Sequence, residues 1–395
     1  MTNSSDADLR RLRSIRAPQI VAVPPGNPHR SLCRMADGEI RFYGSCELDG
    51  RKVRSYLSSR NYGLDWRTEL AEDSGVLGPM VKSPYSGVWL TVLWSRNYNI
   101  QSLPAIVDEP DGIYAIRSAD GPGGTNYTLK RICDFKLLDI RQPVPMRTRN
   151  RWLCTAQVWR DGALCPVVLR SDDDGVTWQW TVLETVAPFV ARYPHRGARW
   201  QQYSCEPTVV ERGDGSLLLI SRTSQDVHYF YESNDAGECW TSPVPSDCFH
   251  ATTTMPTLLR LRDGRILFFW CNTQPLPEVD HEGQPGCDDA IRQGVWEDVF
   301  TNRDACHAAI SEDEGRSWLG FCEVGLNEIR DHADYRSYLN SSINDKSVHQ
   351  FEAMELPEGK VLLVYGQAPS SRRMVIFDPA WLYERGNSED FSKGF

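Results

Sequence analysis

Short apolar or alternating runs recur along almost the whole chain, and each is bounded by a turn rich in Gly, Asp, Asn or Pro. This patterning has a period of two and predicts β-strands joined by tight turns. Two turn patterns repeat. The first reads S-x-D-x-G-x-T-W and is clearest as Ser171-Asp172-Asp173-Asp174-Gly175-Val176-Thr177-Trp178. Looser copies occupy residues 59–66, 233–240 and 311–318. In each copy Asp or Asn is placed to bond its own backbone, Gly to take a positive φ, and Trp to open the next strand and pack. The second pattern is a turn leading into an apolar strand, and it occurs six times, at residues 36–40, 85–90, 149–153, 213–218, 262–267 and 357–362. One strand before this turn, two after it, and a fourth beyond the octet make a blade. The pattern therefore predicts an all-β chain, a six-bladed β-propeller of four-stranded antiparallel blades.

The blades are expected at about residues 30–70, 78–135, 144–190, 204–245, 252–324 and 348–379. In the second blade the octet is broken into Ser118-Ala119-Asp120-Gly121-Pro122-Gly123-Gly124, and the sixth has none. Residues 19–23 form a short apolar strand suited to closing the ring against the last blade, since an open array leaves strand edges unpaired. The domain reading is a flexible segment over 1–18, one propeller over 19–380 and a C-terminal tail over 381–395, the last starting as a short helix. Polar insertions at 274–298 and 327–347 are expected to decorate one face.

Bulk properties narrow the partners. A net charge of −10 argues against nucleic acid. No run of about 18 apolar residues predicts a membrane span. Residues 1–18 carry no apolar leader, and the twelve cysteines sit at irregular spacings without a CxxC pair. Reduced core thiols and a cytoplasmic location follow as expectations; a mature secreted form whose leader has been removed carries the same signature. The histidines show no metal-binding spacing, and no phosphate-cradling loop is present, so no metal or cofactor is expected. Nothing in the pattern forbids a homo-oligomer.

The octet resembles the Asp-box of the sialidase superfamily. A second likeness is the stretch from Glu206 to Arg222, which follows the family pattern E-x-x-V-V-E-x-x-D-G-x-L-x-x-x-x-R. The resemblance implies an exo-acting glycosidase on a terminal acidic sugar, such as a sialic acid or a related keto-acid or uronic sugar. It assigns Glu206 as a catalytic glutamate and Arg222 as one of three arginines that bind the sugar carboxylate. Arg30 stands eight residues before the first Asp-Gly turn and Arg303 eight before the last octet, the positions of the other two. Three planar guanidiniums around one carboxylate make chemical sense, because each binds two oxygens and none loses its proton. For the proton donor the expected loop offers Glu47 or Asp49. The family tyrosine opens the sixth blade, where this chain has His349 and Gln350; Tyr335 and Tyr338 on the preceding insertion are substitutes. Trp200, Gln202 and Tyr203, just before Glu206, suit a sugar platform and hydroxyl partners. The histidine leaves two further readings open: a uronate lyase that uses His349 as its base, and a glycan-binding propeller without catalysis.

Overall fold

The computed structural model describes residues 5–71, 78–94, 112–133, 135, 137–190, 192, 203–251, 254–272, 303, 305–326, 348–367 and 369–385. These residues form six separate four-stranded antiparallel sheets. The first strand of each lies innermost: β2 (Leu32–Arg34), β6 (Val81–Lys82), β10 (Val144–Pro145), β14 (Ser204–Glu211), β18 (Thr257–Arg260) and β22 (Phe351–Glu355). The next strand of each blade runs back beside it: β3 (Ile40–Leu48), β7 (Trp89–Trp94), β11 (Trp152–Arg160), β15 (Leu217–Thr223), β19 (Ile266–Trp270) and β23 (Val361–Tyr365). Outside the first blade, these second strands are largely apolar and buried because both of their faces are covered. All five residues of β23 are buried, as are all seven of β15.

The core is divided by the blades. Six apolar clusters each fill the gap between two consecutive sheets, and one of them joins the last blade to the first. The predicted closing strand is present. β1 (Gln19–Ala22) pairs antiparallel with β24 (Arg373–Phe377) and completes the sixth sheet. Closure from the other end of the chain leaves no unpaired edge at the seam.

One expectation is corrected here. The segment read as flexible contains α1 (Asp6–Ser14), capped by Ser5, whose hydroxyl and backbone exchange hydrogen bonds with Asp8. Leu12 and Ile15 enter the cluster between the last and first blades with Phe42, Leu362 and Ile376. The arginines of this segment supply ion pairs from Arg11 to Asp65 and from Arg13 to Glu358. At the other end α2 (Ala380–Arg385) begins the tail. The insertions at 274–298 and 327–347 lie outside the described residues. The eleven cysteines that are described are all free, and Cys154, Cys205, Cys271 and Cys306 are buried. No helix among the described residues is long and apolar enough to cross a membrane.

Candidate active site at one mouth of the ring

Strand direction decides which residues share a face. Inner strands start at one mouth and second strands end there, so Arg30, Glu206, Arg222 and His349 all come to the same end of the ring. Arg303 joins them because β20 (Ala305–Ser311), the third strand of its blade, runs parallel to the inner one.

Glu206 is the centre of this arrangement. β14 is bulged between Cys205 and Thr208, and Glu206 adopts φ 45°, a left-handed conformation unusual for a glutamate. A bulge re-aims the side chain it carries, and strain of this kind persists only where the surroundings enforce it. Cys205 stands opposite Arg222 in the ladder, which brings the Arg222 side chain beside Glu206 on the neighbouring strand. Arg222 Nη1 donates to Glu206 Oε2 at 2.5 Å with both residues buried. Burial alone would push the Glu206 carboxyl up, but Arg222 and Arg141 outweigh it and hold it below the usual carboxylate range. Glu206 is therefore a fixed anion.

Other guanidiniums surround it. Arg141, from the connector between the second and third blades, donates through Nη2 to Glu206 O and Pro256 O, at 3.3 Å in each case. Arg303 is buried, and its carbonyl accepts from Val348 N–H at 2.8 Å, which ties it to the entrance of the last blade. Arg30 has a left-handed backbone, φ 60°, and leans toward the second blade, where it donates to Thr91 Oγ1 and Val92 O. Burial lowers the Arg30 pKa to about 10. Among the described residues, Nε of Arg30 and Nε of Arg141 have no hydrogen-bond partner. Both arginines line the axial cavity, and unpartnered guanidinium nitrogens there suit an anion.

His349 is not a vacant base. Its Nε2 accepts from Met255 N–H at 2.5 Å, and its Nδ1 lies 3.3 Å from Gln367 Oε1, so the neutral ring has both nitrogens engaged. Burial, with Arg303 and Arg222 beside it, pushes its pKa well below the ordinary value. Glu47 and Asp49 lie at the tip of the β3 hairpin on the mouth side, but they are exposed and solvent-facing rather than folded into the cluster. Tyr203 enters β14 with φ 80° and exchanges hydrogen bonds with Ser224. Trp200, Gln202, Tyr335 and Tyr338 lie outside the described residues.

The cluster holds four residues that sequence reading passed over: His29, Asp139, Arg141 and Glu352. His29 is driven down to about 3 by burial and by Arg141 and Arg30. Asp139 is pushed up to about 6 by burial and by Glu206. Glu352 accepts from Ser31 N–H at 2.9 Å and Leu32 N–H at 3.1 Å, clamping the loop that presents Arg30, while burial raises its pKa to about 7. Each lies near the start of an inner strand but outside the two repeated turn patterns, so no spacing in the sequence singled them out. Beneath the cluster runs an axial cavity of about 730 Å³, lined by Arg30, Arg141, Thr155, Thr208 and Glu352 near the mouth.

The profile of the BNR repeat-like domain family matches residues 113–324. Among solved structures, a protein of unknown function from Dyadobacter fermentans is 16% identical, with a TM-score of 0.53 over 92% of this chain and 98% of that one. The NanB sialidase of Streptococcus pneumoniae, as its K499G mutant, is 12% identical with a TM-score of 0.53, covering 95% of this chain and 73% of that one. The leech intramolecular trans-sialidase, complexed with 2,7-anhydro-Neu5Ac, is also 12% identical at a TM-score of 0.53, over 96% and 73%. At such identities the likeness is one of fold. Comparison with curated proteins gives no match.

Proposed function

This chain belongs to the BNR repeat-like domain family, and on that footing we propose that it is a sialidase-like, exo-acting glycoside hydrolase of a terminal acidic sugar. The observation that carries the reading is the group of buried and half-buried arginines around one ionised glutamate at the mouth of an axial cavity. Arg222, Arg303, Arg30 and Arg141 bind the sugar carboxylate. A planar fork meets two carboxylate oxygens at once, and partial desolvation strengthens each contact. Glu206 fixes Arg222 in place and sets a negative charge beside the anomeric centre, where positive charge develops as the glycosidic bond breaks. The sugar is a sialic acid, a related keto-acid or a uronic acid, since all present a carboxylate on the ring.

A second reading has an observation of its own. His349 stands where the resembled family has its tyrosine, and both ring nitrogens are committed to Met255 and Gln367. That weighs against the lyase, which needs a free imidazole lone pair, and it favours a glycan-binding propeller without turnover. One assay separates the three. Wild type is expected to release methylumbelliferone from a sialyl, Kdo or glucuronyl glycoside, and Glu206→Gln to lose about 10²- to 10⁴-fold. Heat of binding without release supports the binding module. A new absorbance near 230 nm from a 4-linked uronate, caused by the unsaturated product, supports the lyase.

A further inference from the structure

We propose that Asp139 is the acid/base residue of this site: its carboxyl, carried on a strained connector and tied to Glu206 through Gln157, gives the leaving glycosidic oxygen its proton. The proposal rests on the hydrolase reading above.

The connector between the second and third blades is fastened to β11 at two points. Leu138 and Gln157 exchange backbone hydrogen bonds of 2.8 and 3.0 Å, and Arg141 N–H donates to Thr155 O at 2.8 Å. Between these points Asp139 takes φ 46°, a left-handed backbone that the two fastenings impose. The side-chain amide of Gln157, fully buried, then joins the two carboxylate-bearing residues. Its Nε2 donates to Asp139 Oδ2, and its Oε1 accepts from Glu206 N–H at 2.7 Å. Gln157 thereby fixes one oxygen of Asp139 and couples its position to the backbone of Glu206. Asp139 is half-buried at the mouth, whereas Glu206 is sealed.

The charges facing Asp139 are Glu206, Arg141 and Arg222. They separate the two acids. Glu206 is locked as an anion by Arg222 and Arg141 and has no proton to give. Asp139, pushed up to about 6 by burial and by that neighbouring anion, keeps its proton in mildly acidic solution. Two carboxyl groups whose environments drive their pKa values apart are the usual sign of divided acid and base roles. In the step itself the bond from the anomeric carbon to the leaving oxygen breaks, its electron pair stays on that oxygen, and the Asp139 proton neutralises it. Water then adds to the anomeric carbon, and the proton it sheds returns to the Asp139 carboxylate.

The test compares leaving groups. On a substrate whose aglycone is an alcohol or a sugar, wild-type kcat/KM is expected to fall as pH rises past about 6. Asp139→Asn should lose about 10²- to 10⁴-fold there and abolish that pH limb. On a methylumbelliferyl glycoside, whose leaving group departs without a proton, the same variant should lose less than about 10-fold. Asp139→Glu should recover part of the activity. Titration with the free sugar acid, which reads the arginines, reports whether each variant is folded. If Asp139→Asn does not fold, the wild type alone decides: its alkaline limb must be present with the poor leaving group and absent with the good one. Equal losses on both substrates, or the same limb with both, overturn the role of Asp139 and leave the hydrolase reading intact. A wild type that turns over neither substrate removes both.

Discussion

Glu206 carries a charge into a place from which water has been removed, and Arg222 decides how the protein tolerates it. The pair is buried at 2.5 Å, so breaking it from one side leaves an uncompensated ion. Arg222→Leu is expected to destabilise the fold by about 3–5 kcal/mol. The pH dependence should change sign as well. In the wild type the Glu206 pKa is depressed, so its contribution is full above the ordinary carboxylate range and is lost as pH falls through the lower folded value. Without Arg222 burial dominates and raises that pKa, so stability should decline as pH rises from 4 to 7. Urea denaturation of both proteins at several pH values reads this directly; parallel profiles would show that Arg222 does not hold Glu206 ionised. At this scale the family resemblance singled out Glu206 and Arg222, and the structure joined them as an ion pair across one hairpin. The sequence did not reveal Asp139 or Arg141, which lie in a connector whose polar and apolar residues carry no strand period.

The octet shows its second purpose only at the level of the element. Its local role is as expected. Ser171 Oγ accepts from Gly175 N–H at 2.8 Å, Asp173 Oδ1 accepts from Val176 and Thr177 N–H, and Trp178 Nε1 donates to Gly175 O at 3.1 Å. The same glycines also seat each blade on the one before it. A Cβ on Gly175 would fall 2.6 Å from Leu90 Cδ1 in the second blade, and one on Gly315 would fall 2.6 Å from Leu218 Cδ2 in the fourth. An arginine of the preceding blade caps the carbonyl just before the glycine, as Arg117 does at Asp174 and Arg212 at Glu314. Asp173→Ala should therefore cost about 1–3 kcal/mol through lost turn hydrogen bonds. Gly175→Ala should cost about 2 kcal/mol or more, because φ of 84° and the neighbouring leucine both oppose it. Adding Leu90→Ala makes room for the new methyl, so the double variant should be less destabilised than the sum of the two singles. Strict additivity in thermal melts would sink the inter-blade role.

The whole molecule depends on joining its ends. β1 is the outer strand of the sixth sheet, and α1 covers the seam with Leu12, fully buried, and Ile15. Lys360 Nζ bonds Ile15 O and Asp378 Oδ2, both at 2.7 Å, which anchors the start of the chain to its last blade. Leu12→Ala should cost about 2–5 kcal/mol, as other large-to-small changes in a core do. Removal of residues 1–22 should expose the β24 edge and convert a cooperative melt into early aggregation. A truncated chain that melts like the full one, measured by scanning calorimetry with light scattering, would show that the ring holds without its clasp.

The repeat and the blade boundaries could be read from the sequence, because each depends on short-range order: a period of two, a turn that demands glycine, a tryptophan that must pack. The closing strand could be read as well, because a ring of blades must pair its own open edge. Glu206 and Arg222 were named by the family resemblance, and their pairing is set within one hairpin. Apart from that closure of the ring, contacts that needed two distant segments to meet were decided by the tertiary structure. Gln157 bridges Asp139 to Glu206 across blades, Glu352 clamps the loop of Arg30 from the far end of the chain, and His349 is held by Met255 and Gln367. These contacts arise from how the sheets are arranged around the axis, and a linear pattern carries no record of which polar residues a closed ring will press together.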